Sequence, residues 1–132
     1  MERRSVLRET HSILGAVPQF IEQMPDPHIE WMWRSMRDVE LLPGQIPAKH
    51  QQLVMLAVAA SSKCRYGIDF HTELAKALGA TPGEIGEIAI LTAHTSARSA
   101  YLTTAQVDFE QFKRDVRAAA AALSGEERHA RR

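Results

Sequence analysis

Gln52-Leu53-Val54-Met55-Leu56-Ala57-Val58-Ala59-Ala60-Ser61-Ser62-Lys63-Cys64-Arg65-Tyr66-Gly67-Ile68-Asp69-Phe70-His71 is the stretch that decides the fold. Gln52 to Ala60 reads as a helix too apolar for a surface position, hence buried on most sides. Ser61-Ser62-Lys63 interrupts it, and helix resumes near Cys64 or Arg65. Cys64 is the only cysteine, and His71 follows it by seven residues. At about 3.6 residues per turn, both lie on one helix face if the segment is helical throughout. A helix start favours the thiolate form of a cysteine, and an imidazole two turns on can take or give a proton. The plainer reading makes Cys64 a small buried hydrophobe and His71 a satisfied core histidine.

Outward from this stretch the pattern stays helical. Arg4 to Leu14 carries Val6, Leu7, Ile13 and Leu14 and stops at Gly15. Pro18 to Gln23 is a short helix or turn. Asp26 reads as an N-cap and Pro27 as the first residue of a helix running to about Glu40. Its stripe of Ile29, Met32, Trp33 and Met36, with Trp31 at the edge, reads as core or subunit interface rather than a cofactor box. After the loop Leu42 to Pro47 comes the central stretch, whose apolar face continues through Leu74, Ala75 and Leu78 to a stop at Gly79. Thr81-Pro82-Gly83-Glu84 has the form of a capping box. The helix it opens carries small residues in its second half (Ala93, Ser96, Ala97, Ser99, Ala100), a seam for close helix packing. Asp108 caps a last helix with Phe109, Phe112 and Val116. No stretch shows period-two alternation, so the fold is expected to be all-α, with six to eight helices in one domain over 1–132 and a polar, flexible tail over 124–132.

Composition narrows the function. The chain has 132 residues, 45% hydrophobic and 24% charged, with 16 basic and 16 acidic side chains. A neutral chain offers no general electrostatic case for nucleic acid or an anionic membrane. No apolar run approaches the roughly 20 residues needed to span a bilayer. A single cysteine allows no internal disulfide, and with no secretory signal after Met1 the expected compartment is the cytoplasm. No glycine-rich phosphate loop follows a strand, and Ser61-Ser62 has no base beside it. His50, His71 and His94 lie in or near predicted helices but share no metal-ligand spacing, so no metal is expected. His11, His28 and His129 read as surface residues. Glu73, Glu84, Glu87 and Glu110 read as solvated faces or caps.

Three segments together resemble a known family: Leu53 to Ala60; Cys64-Arg65-Tyr66-Gly67-Ile68-Asp69-Phe70-His71-Thr72-Glu73; and Ala77-Leu78-Gly79-Ala80-Thr81-Pro82-Gly83-Glu84-Ile85. This pattern is similar to the AhpD-like branch of the carboxymuconolactone decarboxylase family, strongly over Pro47 to Leu91 and weakly over the flanks. The resemblance implies an all-α protein assembled as a trimer or hexamer, with no cofactor. It also implies peroxide reduction by a Cys-x-x-Cys pair served by a histidine and a glutamate, with an external thiol system as reductant. Cys64 matches the first cysteine and His71 the histidine. Gly67 stands where the second cysteine is expected, and Gln52 where the glutamate is expected.

Both departures have chemical consequences. Without the second sulfur no internal disulfide closes. A glutamine cannot carry a proton as a carboxylate does, although it can hold His71 by hydrogen bonding. Three functions follow from the resemblance. One is a single-cysteine peroxide reductase using Cys64, His71 and Gln52. Another is a redox-inactive oligomeric homologue that binds a ligand or partner. The third is a lyase of the decarboxylase kind acting on a small organic acid, for which Arg65 and Arg98 are the candidate anchors.

Overall fold

The computed structural model describes the backbone of residues 1–130 and the side chains of residues 1–125. Among these the chain is all-α, with seven α-helices and no strand. They are α1 (Arg3–Leu14), α2 (Gln19–Glu22), α3 (Asp26–Ser35), α4 (Ala48–Ser61), α5 (Arg65–Ala77), α6 (Pro82–Thr104) and α7 (Phe109–Ala130). A π-helical turn, Met36–Leu41, continues α3. The backbone forms two compact units, 1–89 and 90–132. The stretch expected as a tail from Ser124 is helical as far as Ala130. Residues 131–132 and the side chain of His129 lie outside the described residues.

In the first unit, one core gathers Val6, Ile21, Ile29, Trp33 and Met36, with Leu7, Leu14, Met24, Leu41 and Phe70 packed around it. The stripe read from sequence is therefore core, except that Met32 is half-buried and Trp31 is 65% exposed. Burying Trp33 requires a partner for its indole N–H. It donates to Glu9 Oε2 at 2.9 Å, while Arg37 donates to Glu9 Oε1 at 2.6 Å. These hydrogen bonds, first Trp33 and then Arg37, hold the Glu9 carboxyl below its usual range. Arg3 on α1 donates to Met24 O at 2.8 Å and to Asp26 Oδ1 at 2.9 Å, and also bonds Glu22 O.

A second core joins Leu53 on α4 to Ala75 and Ala80, with Ile85 and Ile88 packed against them. Most helix ends follow local chemistry. Gly15 and Gly79 take left-handed φ of 75° and 94°, which a glycine adopts without the Cβ penalty. Thr81 and Glu84 form the reciprocal capping box, with Glu84 N to Thr81 Oγ1 at 3.1 Å and Thr81 N to Glu84 Oε2 at 2.9 Å. Asp108 Oδ2 accepts from Gln111 N at 2.9 Å. Asp26 departs from expectation. It is the first helical residue, Pro25 is the N-cap, and Asp26 pairs with Arg3 instead.

The helix α4 also differs from the sequence reading. It buries Gln52, Leu53, Leu56 and Ala59, but Val54 and Val58 are 53% and 62% exposed. Among the described residues α4 buries one stripe, against α5, the π-helical turn and the start of α6. In the second unit, Leu102 and Phe112 are half-buried, whereas Tyr101, Phe109 and Leu123 are each more than 60% exposed.

Candidate functional site

The hairpin of α4 and α5 builds the site. After Ser61 the chain reverses through Lys63, whose φ of 53° lies in the left-handed region. Cys64 N then donates back to Ala59 O at 3.0 Å. Cys64 is the N-cap of α5, with extended backbone (φ −90°, ψ 102°). It is not helical, so the seven-residue spacing does not by itself set the thiol and His71 on one face. The first-turn N–H groups of α5 have no side-chain cap. The thiol is exposed, contrary to a reading of Cys64 as a buried hydrophobe.

His71 is half-buried, and its hydrogen-bond partner among the described residues is Gln52, not Cys64. His71 Nδ1 lies 2.8 Å from Gln52 Oε1, and Gln52 Nε2 donates to the Glu40 carbonyl at 2.7 Å. Gln52 is 2% exposed. A backbone carbonyl only accepts, so the amide must turn its NH₂ towards Glu40 and its oxygen towards His71. His71 Nδ1 must therefore donate, which leaves Nε2 with the lone pair. Burial pushes the His71 imidazolium towards loss of its proton, lowering its pKa from 6.5, and the Glu40 charge opposes this in part. Burial thus favours the neutral imidazole, and the Gln52 amide sets its tautomer.

Gly67 lines the contact between the two helices. A Cβ placed there would stand 2.8 Å from Ala59 Cβ and 3.8 Å from Cys64 Sγ. The helices have closed onto the glycine, so a second cysteine at 67 has no room without a shift of α4. Nothing local in the sequence marks Ala59 for this role.

Beside the first turns of α5 is a cavity of about 710 Å³. Its walls bring Phe20, Met32 and Met36 to face Tyr66, Gly67 and Phe70, and Glu40, Arg65 and Asp69 line it as well. Cys64, His71 and Gln52 do not line it; Gly67 does, and a Cβ there would stand 3.8 Å from Cys64 Sγ. Glu40 escapes sequence reasoning because it meets Gln52 and His71 only through the tertiary fold. Of the two arginines considered as anchors, Arg65 lines this cavity, and Arg98 belongs to the second unit. His11, His28, His50 and His94 are exposed. Among the described residues no group of three or more His, Cys, Asp or Glu is placed to hold a metal, and no helix is long and apolar enough to cross a membrane.

These features can be set against known proteins. A family model for the carboxymuconolactone decarboxylase family matches residues 27–107. The fold is similar to the crystal structure of the alkylhydroperoxidase AhpD core from Rhodospirillum rubrum, with a TM-score of 0.69 at 19% identity, over 83% of this chain and 85% of that one. No curated protein matches the chain. The matched span contains the α4–α5 hairpin together with Gln52, Cys64, Gly67 and His71, and it covers more than half of the sequence: the chain belongs to the carboxymuconolactone decarboxylase family.

Proposed function

We propose that this protein is a single-cysteine thiol oxidoreductase that reduces peroxides, with Cys64 as nucleophile, His71 as proton carrier and Gln52 as the residue that orients His71. The observation that carries the reading is the chain of hydrogen bonds from Glu40 O through Gln52 to His71 Nδ1, which leaves a neutral Nε2 free to accept a proton. The exposed thiol at an uncapped helix start gives a peroxide access to sulfur. His71 takes the thiol proton directly or through one water. The thiolate attacks one peroxide oxygen, an S–O bond forms, the O–O bond breaks, and the departing alkoxide takes the proton from His71. With Gly67 in place of a second cysteine, an external thiol displaces water from the sulfenic acid to give a mixed disulfide. A second external thiol then releases Cys64 and leaves as the oxidised disulfide.

The reading includes assembly into a homo-oligomer and work in a reducing cytoplasm. Supporting assembly are the exposed apolar side chains Val54, Val58, Ile90, Leu91, Tyr101 and Phe109, surface that a partner subunit would bury. One observation favours a second reading, that of a redox-inactive ligand-binding homologue. The Ala59–Gly67 contact has closed over the position where a resolving thiol is expected. Peroxide turnover with a small thiol as reductant decides between them. The redox reading expects turnover that disappears in Cys64→Ser and falls strongly in His71→Ala. Equal rates in the parent and Cys64→Ser would remove it.

A further inference from the structure

The cavity beside α5 carries a charge pattern that the thiol chemistry does not use. Arg65 and Asp69 are four residues apart on α5 and so share one helix face, where a cation and an anion offset each other locally. The Arg65 guanidinium also lies 5.3 Å from the Tyr66 ring centroid. None of Arg65, Asp69 and Glu40 forms an ion pair among the described residues, but Arg65 and Asp69 are exposed, whereas Glu40 is half-buried and lines a cavity whose other walls are largely aromatic and thioether. The cavity therefore holds one negative charge in excess. Its volume lies within the range of about 300–1,000 Å³ usual for small-molecule sites. Met36 and Glu40 both sit on the π-helical turn, a rare local geometry that recurs at functional sites.

From this cavity we infer a binding site for an amphipathic organic cation: an ammonium group recognised by Glu40, with an aromatic or alkyl body seated among Phe20, Met32, Met36 and Phe70. Ring faces attract a cation, and methionine side chains adapt to an apolar body of variable shape. A carboxylate ligand would instead meet an unpaired like charge at Glu40.

The test is a calorimetric titration of the full chain with three ligands of matched shape: phenylbutylammonium, phenylbutanol and phenylbutyrate. The ammonium is expected to bind best, and Glu40→Gln to weaken it about tenfold, the scale of one charge-assisted hydrogen bond, while leaving the alcohol unchanged. That variant keeps the backbone carbonyl to which Gln52 donates, so the hydrogen bonds that hold His71 persist, while loss of the Glu40 charge lowers the His71 pKa further. Methyl NMR locates the site: the Met32 and Met36 signals should shift with the ammonium, and that of Met55 on α4 should not. Tighter binding of the carboxylate, equal binding of ammonium and alcohol, shifts away from Met32 and Met36, or no binding by any of the three would each overturn the inference. The outcome is separable from peroxide turnover, since none of these readouts involves Cys64.

Discussion

Gly67 and Ala59 lie so close that a Cβ on the glycine would stand 2.8 Å from the alanine Cβ. Real carbons do not approach so closely, and both atoms belong to packed helices. Gly67→Cys is therefore expected to destabilise the fold by about 1–3 kcal/mol, the usual cost of overpacking. Ala59→Gly should relieve much of this, leaving a coupling of at least 0.5 kcal/mol, roughly, in a double-mutant cycle from urea denaturation. The same cost for Gly67→Cys in both backgrounds would show that the contact does not govern the site. In the relieved double variant, Cys64 and the introduced thiol are near enough to be tested for disulfide formation by counting free thiols after oxidation.

Gln52 holds two groups, the Glu40 carbonyl and His71 Nδ1. Gln52→Leu leaves both unpaired and is expected to cost about 1–3 kcal/mol per buried group left unsatisfied. Gln52→Glu brings the carboxylate that the family resemblance implies at this position. A negative charge at Nδ1 favours the imidazolium, so the His71 titration followed by NMR should move to higher pH. An unmoved titration would mean that Gln52 does not set the state of His71.

The pH profile of stability has two windows. The folded pKa of His71 is lowered mainly by burial, so the unfolded chain binds the proton more readily. Its contribution is fully present above 6.5 and is lost as pH falls through the lower, folded value. Glu9, Glu30, Asp38 and Glu84 are also lowered, by hydrogen bonds from Trp33, the N-terminus, Arg37 and the Thr81 backbone respectively. Their contributions are lost at more acid pH, below the ordinary carboxylate range. Melting temperature measured against pH should thus fall in two steps, and His71→Gln should remove the upper one. A single step unaffected by that variant would contradict the assignment.

Thr81 and Glu84 make a capping box that also ties α6 to α4, since Lys49 Nζ lies 3.0 Å from Glu84 Oε1. Thr81→Ala should cost about 0.5–2 kcal/mol, as loss of an N-cap does. Glu84→Gln retains an acceptor for the Thr81 N–H and should cost less, because a partly exposed ion pair at the surface contributes roughly 0–1 kcal/mol. The ranking is read from denaturation midpoints.

Cys64 is exposed at the N-cap of α5. An alkylating reagent should modify one thiol per native chain without denaturant, and the alkylated protein should lose peroxide turnover. Modification only after unfolding would contradict the exposure, and undiminished turnover would contradict the proposed role.

The sequence by itself determined most of the helices and several of their ends, though not the start of α3 or the length of α7. Apolar spacing, the stops at Gly15 and Gly79, and the caps at Thr81 and Asp108 are local features, and the structure bears them out. Local chemistry also settled that no second thiol stands near Cys64, since Gly67 is visible in the sequence. Only the tertiary structure decided which side of each helix meets which neighbour. It put Cys64 in solvent rather than in a core, and turned Val54 and Val58 outward on a helix that read as buried. It paired His71 with Gln52 across the hairpin, and set Glu40 of the π-helical turn behind that pair and beside a cavity. Helix formation depends on neighbours three and four residues apart, which the sequence displays. The rotation and closeness of two helices depend on side chains far apart in the chain, and here on one glycine meeting one alanine.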